Sequence, residues 1–154
     1  MLGARPLARS QQLTRLSHDH HEGLLFVWKI RQGLRKNVPA HRINNFKNWF
    51  WKNHLEAHFE TEETNFTNYL PADDEQLARM IHEHYAIRQL LLSASNEDLA
   101  VLAKTLHDHI RFEERSLFPY IEEKLSRDEL NQIGTRLSQE ATCSSEWKDE
   151  FWKG

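Results

Sequence analysis

HDHIRFEERSLFPYI, residues 107–121, carries the pattern on which the fold turns. Stepped at about 100° per residue along a helix, Leu102, Leu106 and Tyr120 fall on one stripe, and His109 and Glu113 lie within it. Their four-residue spacing puts an imidazole and a carboxylate on one helix face at one height. A carboxylate taken into an apolar core without a partner loses hydration worth, on the order of, several kcal/mol or more. This stripe therefore asks for a cation.

The segments on either side repeat the demand. Pro39 and Pro71, with the polar runs Asn37-Val38-Pro39 and Ser93-Ala94-Ser95-Asn96, cut the chain into pieces of helical length. The first runs from about Leu13 to Lys36, with Ser17 as a candidate N-cap, and the second from Pro39 to about Leu70. The third begins near Ala72, and the fourth starts at an Asn96 cap and reaches about Lys124. Ser126, three residues before Glu129, has capping-box spacing for a short fifth helix over 127–139. No stretch alternates as a β-strand does. These expectations define an all-α fold, an antiparallel up-down-up-down four-helix bundle with a short C-terminal fifth helix.

Each long helix aims one histidine inward. On the first, His20 sits among Leu13, Leu16, Val27 and Leu34, with His21 about a quarter-turn away as an alternate. On the second, Trp51, Leu55, Phe66 and Tyr69 frame His58 and Glu62, again one turn apart. On the third, Leu77, Ile81, Ile87 and Leu91 surround His84. No Lys or Arg lies centrally on these stripes, although Arg31 and Arg88 are near enough to reach in. A metal centre resolves the burial problem: two bridging carboxylates and four imidazoles would hold two ions, with coordination positions left for a small ligand.

His54, one turn before His58, reads as a supporting or proton-relay group, or as a substitute ligand. Glu63 and Glu114 read as hydrogen-bond partners of the ligand imidazoles, or as partners of Arg115 or Arg111. His18, His41, His82 and His107 are expected at the surface. The aromatics Trp28, Trp49, Trp51, Tyr85 and Phe112 are expected mostly in the core, with Tyr69 and Tyr120 as candidates to line the pocket.

Composition narrows the function classes. The 154 residues amount to one domain, and the 8 Phe, 5 Trp and 3 Tyr are too much aromatic surface to leave in water. A formal charge of -3 gives no electrostatic case for nucleic acid or an anionic membrane as partner. The single cysteine, Cys143, excludes a disulfide framework and a cysteine-rich zinc site. The longest apolar run, Leu24 to Trp28, is far too short to span a bilayer. Arg5, Arg9 and Arg15 lie in a stretch without acids or an apolar signal core, which reads as a flexible N-terminal arm over 1–12 on a cytoplasmic protein. Residues 13–125 form the bundle, and 126–154 the short helix and an aromatic tail expected to pack on it.

LSHDHHEGL, HFETEE, HEHYAIRQLL and HDHIRFEERSLFPYI together resemble the four helix signatures of the hemerythrin-like, or HHE cation-binding, family. The resemblance spans roughly residues 14–125 and is closest from His109 to Pro119. It implies a non-haem di-iron centre, two iron ions (Fe2+/Fe3+) replaceable by zinc or manganese, held by His20, His58, Glu62, His84, His109 and Glu113. Oxygen-carrying members have a second histidine one turn from the third-helix ligand, where this chain has Met80 or Arg88. They also carry an Asp five residues after the fourth-helix His, where this chain has Glu114. One imidazole fewer favours reaction with, or sensing of, a small diatomic or peroxide ligand (oxygen, peroxide or nitric oxide) over reversible oxygen carriage. A metal-storage or iron- and redox-responsive interaction module without turnover is the alternative. A hydrolytic dinuclear enzyme is weaker, because no phosphate-binding glycine motif is present.

Overall fold

A computed structural model describes residues 9–139 and 146–154. After a short 3-10 turn, Gln11–Leu13, α1 spans Thr14–Arg35. The second rod is α2, Ala40–Phe50, continued through a π-helical turn, Trp51–Leu55, into α3, Glu56–Tyr69. The third is α4, Glu75–Leu91. The fourth is α5, Asn96–Phe112, a π turn at Glu113–Leu117, and α6, Phe118–Lys124. α7, Arg127–Ser138, follows with Ser126 and Glu129 making the expected capping box. No described residue is in a strand, and no helix among those residues is long and apolar enough to cross a membrane.

The caps differ from the sequence expectations in detail. α1 begins before Ser17, whose hydroxyl donates instead to Glu114 at 2.7 Å. Pro39 is the N-cap of α2 rather than its first turn, Asp74 caps α4 within the expected Ala72-Asp73-Asp74 start, and Ser95 caps α5 in place of Asn96. At the end of α1, Val38 N–H donates to Gly33 O at 3.0 Å and Asn37 N–H to Leu34 O at 3.2 Å. This paired arrangement satisfies the last carbonyls through a left-handed residue, Asn37 at φ 56°.

Two apolar clusters fill the bundle, one toward each end. The first gathers Phe26, Ile30, Phe50, Phe59, Ile87, Leu106 and Ile110 among others, and the second Leu16, Phe66, Met80, Leu117, Phe118 and Ile121. Each rod crosses from one cluster to the other at an inward polar residue: Leu16–His20–Phe26, Phe59–Glu62–Phe66, Met80–His84–Ile87 and Ile110–Glu113–Leu117. The chain enters α1 and α4 from the second cluster, and the other two rods from the first. That alternation is the up-down-up-down topology, with a polar layer sandwiched between two cores.

Both ends are closed. Leu130, Ile133 and Leu137 of α7 seal the second cluster, and Phe151 and Trp152 of the tail seal the first. Arg42 holds the tail through Asp149 at 2.5 and 2.9 Å, and the Lys36 ammonium donates to Trp152 O at 2.6 Å. Of the arm assigned to 1–12, Arg9 and Gln12 make side-chain bonds to the bundle: Arg9 pairs with Glu122 at 2.7 Å and Gln12 donates to Asn131 at 2.6 Å. Residues 1–8, and 140–145 of the tail segment, lie outside the described residues.

Three residues expected in the core lie outside it, Ile81 placed there by the helical wheel and Trp28 and Tyr85 by their aromatic character. Trp28, Tyr85 and Ile81 are 50%, 61% and 42% exposed. The buried stripe of α1 centres on Gly23, Val27 and Ile30, that of α4 on Met80, His84 and Ile87, so these three side chains fall beyond its edge.

Candidate metal centre

The six inward residues meet in one layer. His20, His58, His84, His109, Glu62 and Glu113 are all buried, both carboxylates completely. The two carboxylates are divided oxygen by oxygen between two histidine pairs. Glu62 Oε2 lies 3.1 Å from His58 Nε2 and 3.8 Å from His20 Nε2, while its Oε1 lies 3.1 Å from His84 Nε2. Glu113 Oε1 lies 2.7 Å from His20 Nε2 and 3.9 Å from His58 Nε2, while its Oε2 lies 3.2 Å from His109 Nε2 and 3.7 Å from His84 Nε2. Two four-residue groups result, His20–His58–Glu62–Glu113 and Glu62–His84–His109–Glu113, each with its ligand atoms within 4.8 Å of one another.

Apart from the 2.7 Å hydrogen bond between His20 Nε2 and Glu113 Oε1, these atoms are close without being bonded to one another. Nε2 of His58, His84 and His109, both oxygens of Glu62 and Oε2 of Glu113 are buried and have no hydrogen-bond partner. Six such orphans in one layer would be a severe defect if nothing else occupied it. Donors about 2.1 Å from one ion and at right angles stand about 3 Å apart. The shorter contacts in the layer, 2.7–3.2 Å, match that separation. The arrangement fits two adjacent cations, each facing two imidazole nitrogens and one oxygen from each carboxylate.

An outer ring of four carboxylates fixes the imidazoles. Asp19 on α1 bonds His58 Nδ1 at 3.0 Å, and Glu63 on α3 bonds His84 Nδ1 at 2.6 Å. Glu83 on α4 bonds His109 Nδ1 at 2.7 Å, and Glu114, in the π turn after α5, bonds His20 Nδ1 at 2.6 Å. Each rod thus supplies the acid that orients the next rod's histidine, and the ring closes. With Nδ1 held by the outer acid, Nε2 is the atom that each ring turns toward the layer, and in the neutral imidazole it is the one free to offer a lone pair to a cation. Arginines back three of the acids: Arg88 on Glu63 at 2.8 Å, Arg79 on Glu83 at 2.8 Å and Arg9 on Glu114 at 3.4 Å. Arg88 therefore serves the ring and leaves Glu62 without a cation, and Arg31 is exposed.

Sequence reading found Glu63 and Glu114, though their arginine partners are Arg88 and Arg9 rather than Arg115 and Arg111. It missed Asp19 and Glu83. The available signal was that every ring acid directly adjoins an inward ligand in sequence: Asp19–His20, Glu62–Glu63, Glu83–His84 and Glu113–Glu114. His21 is exposed on α1 and takes no part in the layer. Tyr69 donates to Gln132 at 2.7 Å and Tyr120 to Asp74, so neither lines the cavity. His54 does line it, together with Asp19, His20, Gly23, His58 and His109.

The π turns explain how a regular helix reaches this geometry. Pro119 has no N–H and its ring would clash with the carbonyl of Arg115 in an α-helix. The turn widens over Glu113–Leu117, with Phe118 N–H donating to Glu113 O. There Glu113 faces the layer and Glu114 reaches His20.

Electrostatics bind the layer even without an ion. Burial alone would lower the pKa of His84, but contacts with Glu113, Glu62 and Glu63 outweigh it and push it up to about 10. Burial likewise opposes the charge of His109, and Glu113 and Glu83 raise it to about 8. Glu113 is driven well below the usual carboxylate range, the burial cost being outweighed by the His109 charge and the surrounding contacts. Imidazolium and carboxylate thus neutralise one another where a metal would otherwise do so.

A four-helix bundle with buried, convergent histidines and carboxylates defines a metal-binding bundle protein. The chain belongs to the family described as hemerythrin HHE cation binding domain, whose family model matches residues 11–121. No curated protein and no solved structure matches the chain.

Proposed function

We propose that the layer holds two iron ions, bridged by Glu62 and Glu113, and that the protein binds, reduces or senses a small oxidant there: oxygen, peroxide or nitric oxide. His20 and His58 would complete one ion's protein ligands, His84 and His109 the other's. The observation that carries this reading is the set of six orphaned buried atoms, which fall into two adjoining His/Glu groups. Nitrogen and oxygen donors without sulfur suit iron, and also admit zinc or manganese in protein grown without added iron.

Bound iron would supply redox change and open coordination positions. The chain supplies the rest. The ring acids orient each imidazole, and Glu62 and Glu113, each with one oxygen toward either histidine pair, would hold both ions. Phe59 stacks on His84 with centroids 3.8 Å apart and Phe118 on His20 at 5.2 Å, shielding both from water. A cavity of about 30 Å3 adjoins His20, His58 and His109. That is room for about one or two water-sized molecules, which limits the ligand to a few atoms.

The test is anaerobic loading with Fe(II) followed by oxygen, hydrogen peroxide or nitric oxide. New visible absorption with at least one of them supports the reading, and spectral silence with all three contradicts it.

A further inference from the structure

Glu22, Phe50 and His54 line both the inner cavity and a cleft that opens to solvent between α1, α2 and the tail. The cleft runs on past Trp49 and is walled on one side by Trp147. These three residues therefore form a neck between solvent and the imidazole layer. The neck lies on the side of Asp19, whose side chain is 41% exposed; among the described residues no arginine or lysine pairs with this acid, unlike the other three of the ring.

Of the three neck side chains, His54 alone offers an N–H. Its ring is held in place, stacked on Phe50 and edge-on to Trp49 at 5.2 Å from each. It stands on the widened turn Trp51–Leu55, one turn from His58. The four layer histidines commit Nδ1 to carboxylates, whereas among the described residues no carboxylate holds His54. The remaining cavity wall includes Gly23, Leu55, Phe59, Leu106 and Ile110, which offer a ligand no polar side chain.

We infer that this neck is the entry route to the centre and that His54 is a positioning residue, donating a hydrogen bond to the ligand held in the cavity. The ligand class is a molecule of two or three heavy atoms bearing an acceptor atom. The inference rests on the oxidant reading above, and assigns that site its route and its ligand-facing donor. With the layer histidines turned to the metal positions, a single placed donor in the rest of the wall discriminates in favour of ligands that can accept from it.

The test uses the full-length chain loaded with iron, with azide and nitric oxide as probes. His54→Phe keeps a ring between Trp49 and Phe50 but removes the donor, His54→Leu removes it with a smaller side chain, and His54→Gln restores an N–H. All three should load as much iron as the unsubstituted protein. The Phe and Leu variants should bind azide about tenfold more weakly with a shifted azide absorption band, and the Gln variant within about threefold. Unchanged azide affinity and band in whichever donor-less variant folds overturns the inference, as does loss of iron from that variant, which would make His54 a ligand. An unsubstituted protein that loads iron but responds spectrally to neither probe overturns the oxidant reading, and this inference with it.

Discussion

Glu83 on α4 accepts a 2.7 Å hydrogen bond from His109 Nδ1 on α5, and by doing so closes a ring in which every rod orients its neighbour's imidazole. The ring lies outside the His/Glu layer, yet it determines which nitrogen of each histidine faces inward. Metal binding to this layer is therefore coupled to contacts between all four rods, not to six side chains alone.

Glu83→Gln should lower metal affinity by about 10- to 100-fold while leaving the number of ions at saturation unchanged. Competition against a chromophoric chelator measures it. His82→Ala, one residue away and exposed, should have no effect. Equal affinities in the two variants would show that the ring does not tune the site.

In the metal-free protein, stability should fall as pH rises. The folded pKa values of His84, about 10, and His109, about 8, exceed the ordinary 6.5. Their contribution is therefore complete below about pH 6.5 and is lost as pH climbs through 8 and then 10. Metal-loaded protein should behave in the opposite sense over this range, because a metal requires the neutral imidazole. Thermal midpoints measured with and without chelator across pH 6–10 check this. Parallel curves would contradict it.

The tail is seated against a glycine. A Cβ on Gly33 would lie 2.7 Å from Phe151 Cε1 and 3.0 Å from Ile43 Cδ1. Gly33→Ala should therefore cost about 1–3 kcal/mol by overpacking and loosen the tail. Thermal denaturation and limited proteolysis near the C-terminus measure it. An unchanged midpoint with a protected tail would mean the seat is soft.

Much of this centre was legible because period and chemistry coincide. A constant 100° step places His20, His58, Glu62, His84, His109 and Glu113 inward, and these are the residues that meet in the layer. The same step cannot show the π turns at Trp51–Leu55 and Glu113–Leu117, where one extra residue enters a turn. Pro119 was the one local hint of the second. Asp19 and Glu83 were missed because they lie at the edge of the buried stripe, and their partners sit on other rods. Trp28 and Tyr85 show the converse error, since residue type alone suggested burial and azimuth denied it.

The most direct measurement is an anaerobic Fe(II) titration of the metal-free chain, followed by absorption and by metal analysis after desalting. The expected result is a break at two ions per chain, reduced in Glu62→Gln, which loses a carboxylate common to both His/Glu groups. Saturation at one ion or none, or a Glu62→Gln variant that still retains two, would contradict a carboxylate-bridged pair.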